Sequence, residues 1–291
     1  MKEDLDFYAA QSIYSDPGRS VDWLDDVPTE LADIRRLATG LVFHFRANGD
    51  LSANGFTADR FSELDLRYAD DMLARLRQLQ DGSITAARQP TRCILGCCRD
   101  FTLLFVAMAR HRGIPARSRV GFAGYFGGDW WYDHVVAEVW DAAERRWRLV
   151  EAQMPDGYVD PATGLQMDLL DVPRDRFLVG ADAWRAARSG SPDAERFGVS
   201  PELDLPYLRS WTYLAHNVIF DLAALNKDEM VLWETWGVLD SLAPPDPNAQ
   251  LDTVRSHYDD VRFRVPATVT NHSPLDGSRR AVELRARSVV E

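Results

Sequence analysis

The chain has 291 residues, of which 46% are hydrophobic and 27% charged, and its formal net charge is −12. This composition is typical of a globular protein with a sizeable core, and it contains no Lys/Arg-rich run of the kind that a nucleic-acid backbone requires. The longest apolar stretches, such as residues 101–109, are far shorter than the roughly 20 residues of a membrane-spanning helix. The first residues show no secretory signal. We therefore expect a cytoplasmic protein that binds neither nucleic acid nor membrane.

The chain contains three cysteines, and they lie within six positions at Cys93, Cys97 and Cys98. An odd, clustered set does not make a disulfide framework. It suits a reducing compartment, in which clustered thiols are more often catalytic or metal-binding than structural.

Two amphipathic helices are predicted in the first third of the chain. Apolar residues at helical spacing predict a helix over residues 30–44, with Thr29 as its cap. A second pattern predicts a helix over residues 61–79, ended by the Asp81-Gly82 turn.

The middle third predicts one buried helix followed by strands. The helix covers residues 98–112 and ends at Gly113, before Ile114-Pro115, where a helix cannot continue. Alternating side chains then predict strands over residues 117–126, 134–141 and 147–153, the last two forming a hairpin.

The last third is predicted to be mainly helical, with a long apolar helix over residues 211–226. Residues 243–247 form a proline-rich break, and residues 279–291 are either a short strand or disordered. The predicted fold class is α+β. We expect a helical N-terminal region over 1–85, a core over 86–180 and a mainly helical extension over 181–291, together forming one compact unit.

The start of the buried helix is the first candidate for chemistry. Cys98 falls on its first turn, where the helix dipole and free backbone N–H groups lower the pKa of a thiol. Cys97 lies one residue earlier, and Arg99 and Asp100 are expected to pair locally or to cap the helix. The structural alternative is that both thiols are small buried residues of a helix cap.

A histidine and a carboxylate on neighbouring strands complete a possible catalytic set. His134 opens its strand after a glycine and aromatic loop and is suited to act as a general base. A tight turn places Glu151 opposite position 136, on the face that carries His134, where a carboxylate can orient the imidazole. The alternatives are a surface histidine beside Asp133 and a solvated strand carboxylate.

Four segments carry a resemblance to the bacterial transglutaminase-like superfamily. They are Gly96-Cys97-Cys98-Arg99-Asp100-Phe101, the run from Arg110 to Arg117 that contains Gly113-Ile114-Pro115-Ala116, the strand from Asp133 to Trp140, and Trp147-Arg148-Leu149-Val150-Glu151. The resemblance implies a papain-like core with a Cys–His–Asp triad. By that resemblance Cys98 is the nucleophile, His134 is the base, and Glu151 lies where the family usually has Asp.

Further residues resemble a wider bacterial subgroup of this superfamily. They are Ser15-Asp16-Pro17-Gly18, the run from Asp221 to Lys227, Trp233 and Trp236.

Several residues are candidates for substrate binding. The Cys98 backbone N–H is the expected first oxyanion donor, and Gln89, Arg92 and Trp131 are candidates for a second. Trp130, Trp131 and Tyr132 are placed to wall a cleft, with loop packing as the alternative. Asn217 and Asp221 share a helix face and either bind a substrate amine or amide or form a buried hydrogen-bonding pair that ties the extension to the core.

The expected function is cysteine-dependent acyl transfer from an amide or thioester, through a Cys98 acyl-enzyme, to water or an amine. The substrate is a small molecule, a peptide or a carrier-bound acyl group. No cofactor is expected, and the absence of a calcium-loop pattern favours metal-independent action. The alternatives are an amide-forming acyltransferase of a biosynthetic pathway, a binding module that has lost catalysis, and a zinc site built from the three cysteines and His134.

Overall fold

A computed structural model describes residues 2–241 and 265–286 of the chain. The described residues form two compact units that alternate along the sequence. Unit 1 takes its residues from 1–118, 135–159 and 165–173, and unit 2 takes its residues from 119–134, 160–164 and 174–291. The predicted division at residues 85 and 180 stays a prediction.

Helices and strands follow one another in a mixed order. The α-helices are α1 (Lys2–Ala9), α2 (Leu31–Thr39), α3 (Ala69–Leu79), α4 (Cys98–His111), α5 (Gly180–Ser189) and α6 (Ser210–Leu225). The first six strands are β1 (Val42–His44), β2 (Ile94–Gly96), β3 (Ala116–Ala123), β4 (Trp131–Asp141), β5 (Arg146–Val150) and β6 (Val159–Asp160). The others are β7 (Leu165–Gln166), β8 (Phe177–Val179), β9 (Phe197–Gly198), β10 (Glu234–Thr235), β11 (Thr268–His272) and β12 (Arg279–Glu283).

Helix α4 forms the centre of unit 1, as the apolar periodicity of residues 98–112 predicts. Phe101, Leu104, Phe105 and Met108 are buried along it, and the chain leaves the helix through Gly113 at φ 73°. The Thr102 hydroxyl donates to the Val135 carbonyl at 2.9 Å, which packs the helix against β4. The helix bounds agree with the prediction to within one residue.

The main sheet has the strand order β5-β4-β3-β8, and β9 pairs with β4 in parallel. Strands β4 and β5 are antiparallel, with a register that runs from Ala137 opposite Val150 to Asp141 opposite Arg146. In unit 2, Gly121 of β3 faces Val179 of β8, and a Cβ at position 121 would lie 2.1 Å from the Leu178 carbonyl oxygen. Only glycine fits this close approach. Helices and antiparallel strands together confirm the predicted α+β class.

The first predicted helix is shorter than expected, and Thr29 is not its cap. Helix α2 ends at Thr39 and is preceded by Glu30 as the N-cap residue. Residues 42–44, predicted as helix, form strand β1 instead and pair in parallel with β2. The pairing partner lies some 50 residues further along the chain, so a local periodicity does not contain it.

The second predicted helix is interrupted. Residues 58–65 form a 3₁₀-helix, and α3 begins only at Ala69. Between them the chain is extended, because the buried guanidinium of Arg99 binds the carbonyls of Leu66 at 3.3 Å and Arg67 at 2.5 Å. Those two carbonyls therefore bond to a side chain of α4 and not within a helix. Helix α3 ends at residue 79, as predicted.

The C-terminal part contains strands as well as the predicted helices. Strands β10, β11 and β12 form an antiparallel sheet. The predicted strand or disordered segment at 279–291 is a strand over Arg279–Glu283, and residues 287–291 lie outside the described residues, as does the break at 243–247. Over the described residues, no helix combines the length and the apolar character that crossing a membrane requires.

A buried histidine in α6 makes the stability of the protein dependent on pH. The His216 ring stacks between Tyr213 at 4.7 Å and Phe220 at 4.0 Å, and its Nδ1 lies 3.0 Å from the Asn217 side-chain oxygen. Burial lowers the pKa of His216 to about 4. The folded state therefore disfavours the protonated ring.

We expect the stability that neutral His216 provides to be complete above pH 6.5 and to be lost as the pH falls towards 4, because the unfolded chain binds the proton first. Between pH 7 and pH 4 the free energy of unfolding should fall by about 2–3 kcal/mol more in the wild type than in His216→Gln. Urea unfolding at both pH values measures the difference. Parallel pH profiles would contradict the buried neutral ring.

Candidate active site

Cys98 is the first residue of α4, and one residue, Cys97, separates it from strand β2. Cys97 is the N-cap residue, with extended backbone angles of φ −128° and ψ −176°. The Cys98 thiol therefore lies at the positive end of the helix dipole, where unpaired backbone N–H groups favour a negative charge. Its side chain is largely buried, with 6% of its surface exposed.

The carboxylate of Asp100 holds this helix start in place. Its Oδ2 accepts the Cys97 N–H at 2.8 Å, and its Oδ1 accepts a bond from the Arg99 guanidinium at 3.0 Å. Burial raises the pKa of Asp100, while the charge of Arg99 and the Cys97 N–H oppose that shift. A Cβ at Gly96 would lie 2.6 Å from the Asp100 Oδ2, so a glycine is required there. Arg99 and Asp100 pair locally and cap the helix, as expected.

The other two cysteines are held as neutral thiols. A hydrogen bond to Cys98, together with burial, raises the pKa of Cys97 well above its ordinary value. Burial also raises the pKa of Cys93, whose thiol donates to the Gly40 carbonyl at 3.3 Å. Among the described residues, no group of three or more His, Cys, Asp or Glu side chains is placed to hold a metal ion. The zinc alternative therefore has no ligand set in this part of the chain.

His134 is buried among aromatic rings and is not the surface histidine of the alternative interpretation. Only 1% of its surface is exposed. The edges and faces of Phe126, Tyr125 and Phe177 meet the imidazole with ring centroids at 4.9, 6.1 and 6.3 Å. Sequence reasoning did not identify these three residues. The Tyr125-Phe126 pair immediately before Gly127-Gly128 is the only local sign of them.

Asp133, beside His134, is engaged by helix α6. The Tyr213 hydroxyl and the Asn217 amide each donate to its carboxylate at 2.9 Å. Asn217 also donates to the Gly121 carbonyl at 3.0 Å. Alternation along β4 turns Asp133 and His134 to opposite faces.

Asp221, one turn beyond Asn217, forms a buried ion pair. Its carboxylate accepts two bonds from the Arg119 guanidinium, at 2.9 and 2.8 Å, and a third from the Val120 N–H at 3.0 Å. These contacts agree with the structural alternative for the pair, and substrate binding by either residue stays a prediction.

Glu151 follows β5 and is fully buried, so it is not a solvated strand carboxylate. Its N–H donates to the Leu169 carbonyl at 2.9 Å, and its Oε1 accepts the Gln153 N–H at 2.8 Å. The β4–β5 register, extended by one residue, places Glu151 opposite Val136.

The remaining predicted residues have contacts that serve packing. Gln89 is exposed at the start of a short 3₁₀-helix, and the exposed Arg92 donates to the Leu79 carbonyl at 2.7 Å. The Trp130 indole donates to the Gly198 carbonyl at 3.1 Å, and the Trp131 ring stacks on Phe197 at 5.8 Å. Their roles in substrate binding stay predictions.

The predicted site residues are divided between the two units. Unit 1 contains Gln89, Arg92, Cys98 and Glu151, and unit 2 contains Trp130, Trp131, His134, Asn217 and Asp221. The assembly of a triad from Cys98, His134 and Glu151 therefore stays a prediction.

Comparison with known proteins gives a family match to the segment that contains Cys98, His134 and Glu151. The sequence profile of the transglutaminase-like superfamily matches residues 66–152. A crystal structure of a candidate cysteine protease from Cytophaga hutchinsonii is 17% identical, with a TM-score of 0.36. The similarity covers 63% of this chain and 50% of that chain, so it spans about half the length of the Cytophaga protein. A search of curated proteins found no match.

We expect Gly96→Ala to destabilise the protein by about 1–3 kcal/mol, because the added methyl group would displace the Asp100 carboxylate from the Cys97 N–H. Gly40→Ala is the matched control. Its Cβ would meet its nearest atom at an ordinary 3.5 Å, and its φ is −84°. Chemical unfolding of both variants measures the effect, and equal stabilities would contradict the close contact at Gly96.

Proposed function

We propose that this chain, whose residues 66–152 match the profile of the transglutaminase-like superfamily, is a cysteine-dependent enzyme that transfers an acyl group from an amide or thioester to water or an amine. The observation that carries the proposal is the position of Cys98 as the first residue of a buried helix, within the matched segment. A thiol at that position is favoured as a thiolate nucleophile.

In the proposed reaction the Cys98 sulfur attacks the carbonyl carbon of the substrate. His134 accepts the thiol proton and then delivers it to the departing amine or thiol, and the acyl group remains on Cys98 as a thioester. Water or an amine next attacks the thioester, with His134 as its base, and the carbon–sulfur bond breaks to regenerate the thiol. The Cys98 backbone N–H stabilises the oxyanion in both steps.

Glu151 is proposed to orient His134 and to stabilise its cation. Its burial and its position directly after β5, whose last residue Val150 pairs with Ala137 of β4, support this role. Asp133 and Asp156 are the alternative acids for this role, and both bind other groups: Asp133 binds Tyr213 and Asn217, and Asp156 binds Arg35 and Arg36. The extra methylene of glutamate, relative to aspartate, adds about 1.5 Å of reach.

Hydrolysis and amide formation share this acyl-enzyme and differ only in the acceptor. The substrate is proposed to be a small molecule, a peptide or a carrier-bound acyl group. A binding module that has lost catalysis is the competing proposal, and it rests on the replacement of the usual aspartate by Glu151. The reactivity of the thiols separates the two.

We expect Cys98 to react with iodoacetamide at least tenfold faster than Cys93 at neutral pH, because burial raises the pKa of Cys93. Site-resolved mass spectrometry of the alkylated protein measures both rates. Cys98→Ser should abolish turnover, while Cys97→Ser should keep most of it. Equal reactivity of the thiols would favour the binding module.

Glu151→Gln should leave the fold intact and lower turnover by about 10²–10⁴-fold, because His134 loses the group that sets its tautomer and balances its charge. Glu151→Asp, which restores the usual residue, should be tolerated. Steady-state rates, or the pH profile of Cys98 alkylation where no substrate is at hand, measure the effect. A Glu151→Gln profile that superimposes on the wild type would remove Glu151 from the mechanism.

A further inference from the structure

The segment that follows β5 and begins with Glu151 is held by helix α2. The Thr39 hydroxyl donates to the Ala152 carbonyl at 2.8 Å. The Arg35 guanidinium donates to the Met154 carbonyl at 2.6 Å and reaches the Glu151 carbonyl at 3.5 Å. Three main-chain oxygens of this irregular segment are thus bound by side chains of one helix face.

Arg35 is a buried cation, with 2% of its surface exposed, whose fork spans this segment. One terminal nitrogen binds the carbonyls of Met154 and Glu151, and the other binds the Asp156 carboxylate. Burying a guanidinium carries a large desolvation cost, and a nonpolar side chain of similar volume often stabilises a core equally well. The planar fork instead supplies direction, because it binds several acceptors in one fixed arrangement.

The contacts of the neighbouring Arg36 differ from those of Arg35. Its Nε binds the same Asp156 carboxylate at 2.6 Å, but its side chain is 54% exposed. The other contact named for it is an ion pair with Asp33, on its own helix. Both arginines therefore share Asp156, and the bonds to the main chain of the Glu151 segment come from Arg35.

The same helix packs against the helix that carries Cys98. Helices α2 and α4 are in direct contact in unit 1, with Ile34 and Ala38 of α2 fully buried. Arg35 therefore connects the backbone around Glu151 to the scaffold of Cys98. The direction of the Glu151 carboxylate depends on that backbone, since its Oε1 accepts the Gln153 N–H within the same turn.

We propose that Arg35 is a positioning residue, which holds the turn of residues 151–154 so that the Glu151 carboxylate keeps its catalytic direction. This inference rests on the proposed role of Glu151. Through Arg35, helix α2 would affect the reaction by positioning Glu151 and not by contact with the substrate.

The test compares Arg35→Met with Arg36→Met, and both with Glu151→Gln, by the pH profile of Cys98 alkylation with iodoacetamide. Arg35→Met should lower the rate at neutral pH by about tenfold and displace the profile in the direction of Glu151→Gln. Arg36→Met should superimpose on the wild type. The double variant Arg35→Met with Glu151→Gln should match Glu151→Gln alone, because both changes act through one carboxylate.

The outcomes distinguish the positioning role of Arg35 from the proposed role of Glu151. If Glu151→Gln shifts the profile and Arg35→Met does not, the positioning role is wrong and the proposed function stands. If Glu151→Gln is itself silent, the proposed role of Glu151 fails, and the role of Arg35 fails with it. An additive double variant would show that Arg35 acts by another route.

A further variant covers the case in which Arg35→Met does not fold. Arg35→Lys keeps the charge beside Asp156, but its single ammonium group cannot reproduce the fork. It should unfold near the wild-type midpoint while its alkylation profile shifts towards that of Glu151→Gln. A wild-type profile in folded Arg35→Lys would overturn the proposal.

Discussion

The buried contact between Asp100 and the start of α4 determines where Cys98 lies. The carboxylate binds the Cys97 N–H and the Arg99 guanidinium, and it occupies the space that a side chain at Gly96 would fill. Arg99 in turn binds the carbonyls of residues 66 and 67. These bonds interrupt the predicted helix over residues 61–79, and α3 begins only at Ala69. One network therefore fixes both the helix start and the chain that runs beside it.

Two other arginines of unit 1 also bind main-chain carbonyls of irregular segments. Arg60 binds the Glu63 carboxylate and the carbonyls of Thr91 and Cys93, while Glu63 accepts the Leu95 N–H at 2.8 Å. This holds strand β2, which leads into Cys98. Arg35 does the equivalent for the segment after Glu151. Irregular backbone leaves carbonyls without strand or helix partners, and a guanidinium has enough donors to bind several of them at once.

Three aspartates have structural roles of this kind. Asp100, Asp133 and Asp156 each bind donors that hold backbone or helices in place. The Glu151 carboxylate accepts the Gln153 N–H within its own turn. The carboxylate is buried, and the main chain that follows it is held from α2.

Local sequence patterns determined the elements that carry the proposed site. The bounds of α4 follow from apolar spacing and from Gly113, and the pairing of β4 with β5 follows from the short turn of the hairpin. Both depend on interactions within about fifteen residues, and side-chain type and spacing record such interactions directly. The order of the family motifs, which carries the assignment of Cys98, is likewise contained in the chain itself.

Only the tertiary structure decided the features that depend on distant partners. Residues 42–44 became a strand because β2 lies beside them, and residues 66 and 67 left the helix because Arg99 binds their carbonyls. The aromatic surroundings of His134 include Phe177, and Arg35 meets a segment more than a hundred residues later. Such contacts depend on how elements pack, and a local pattern does not record which carbonyl or ring will arrive from elsewhere in the chain.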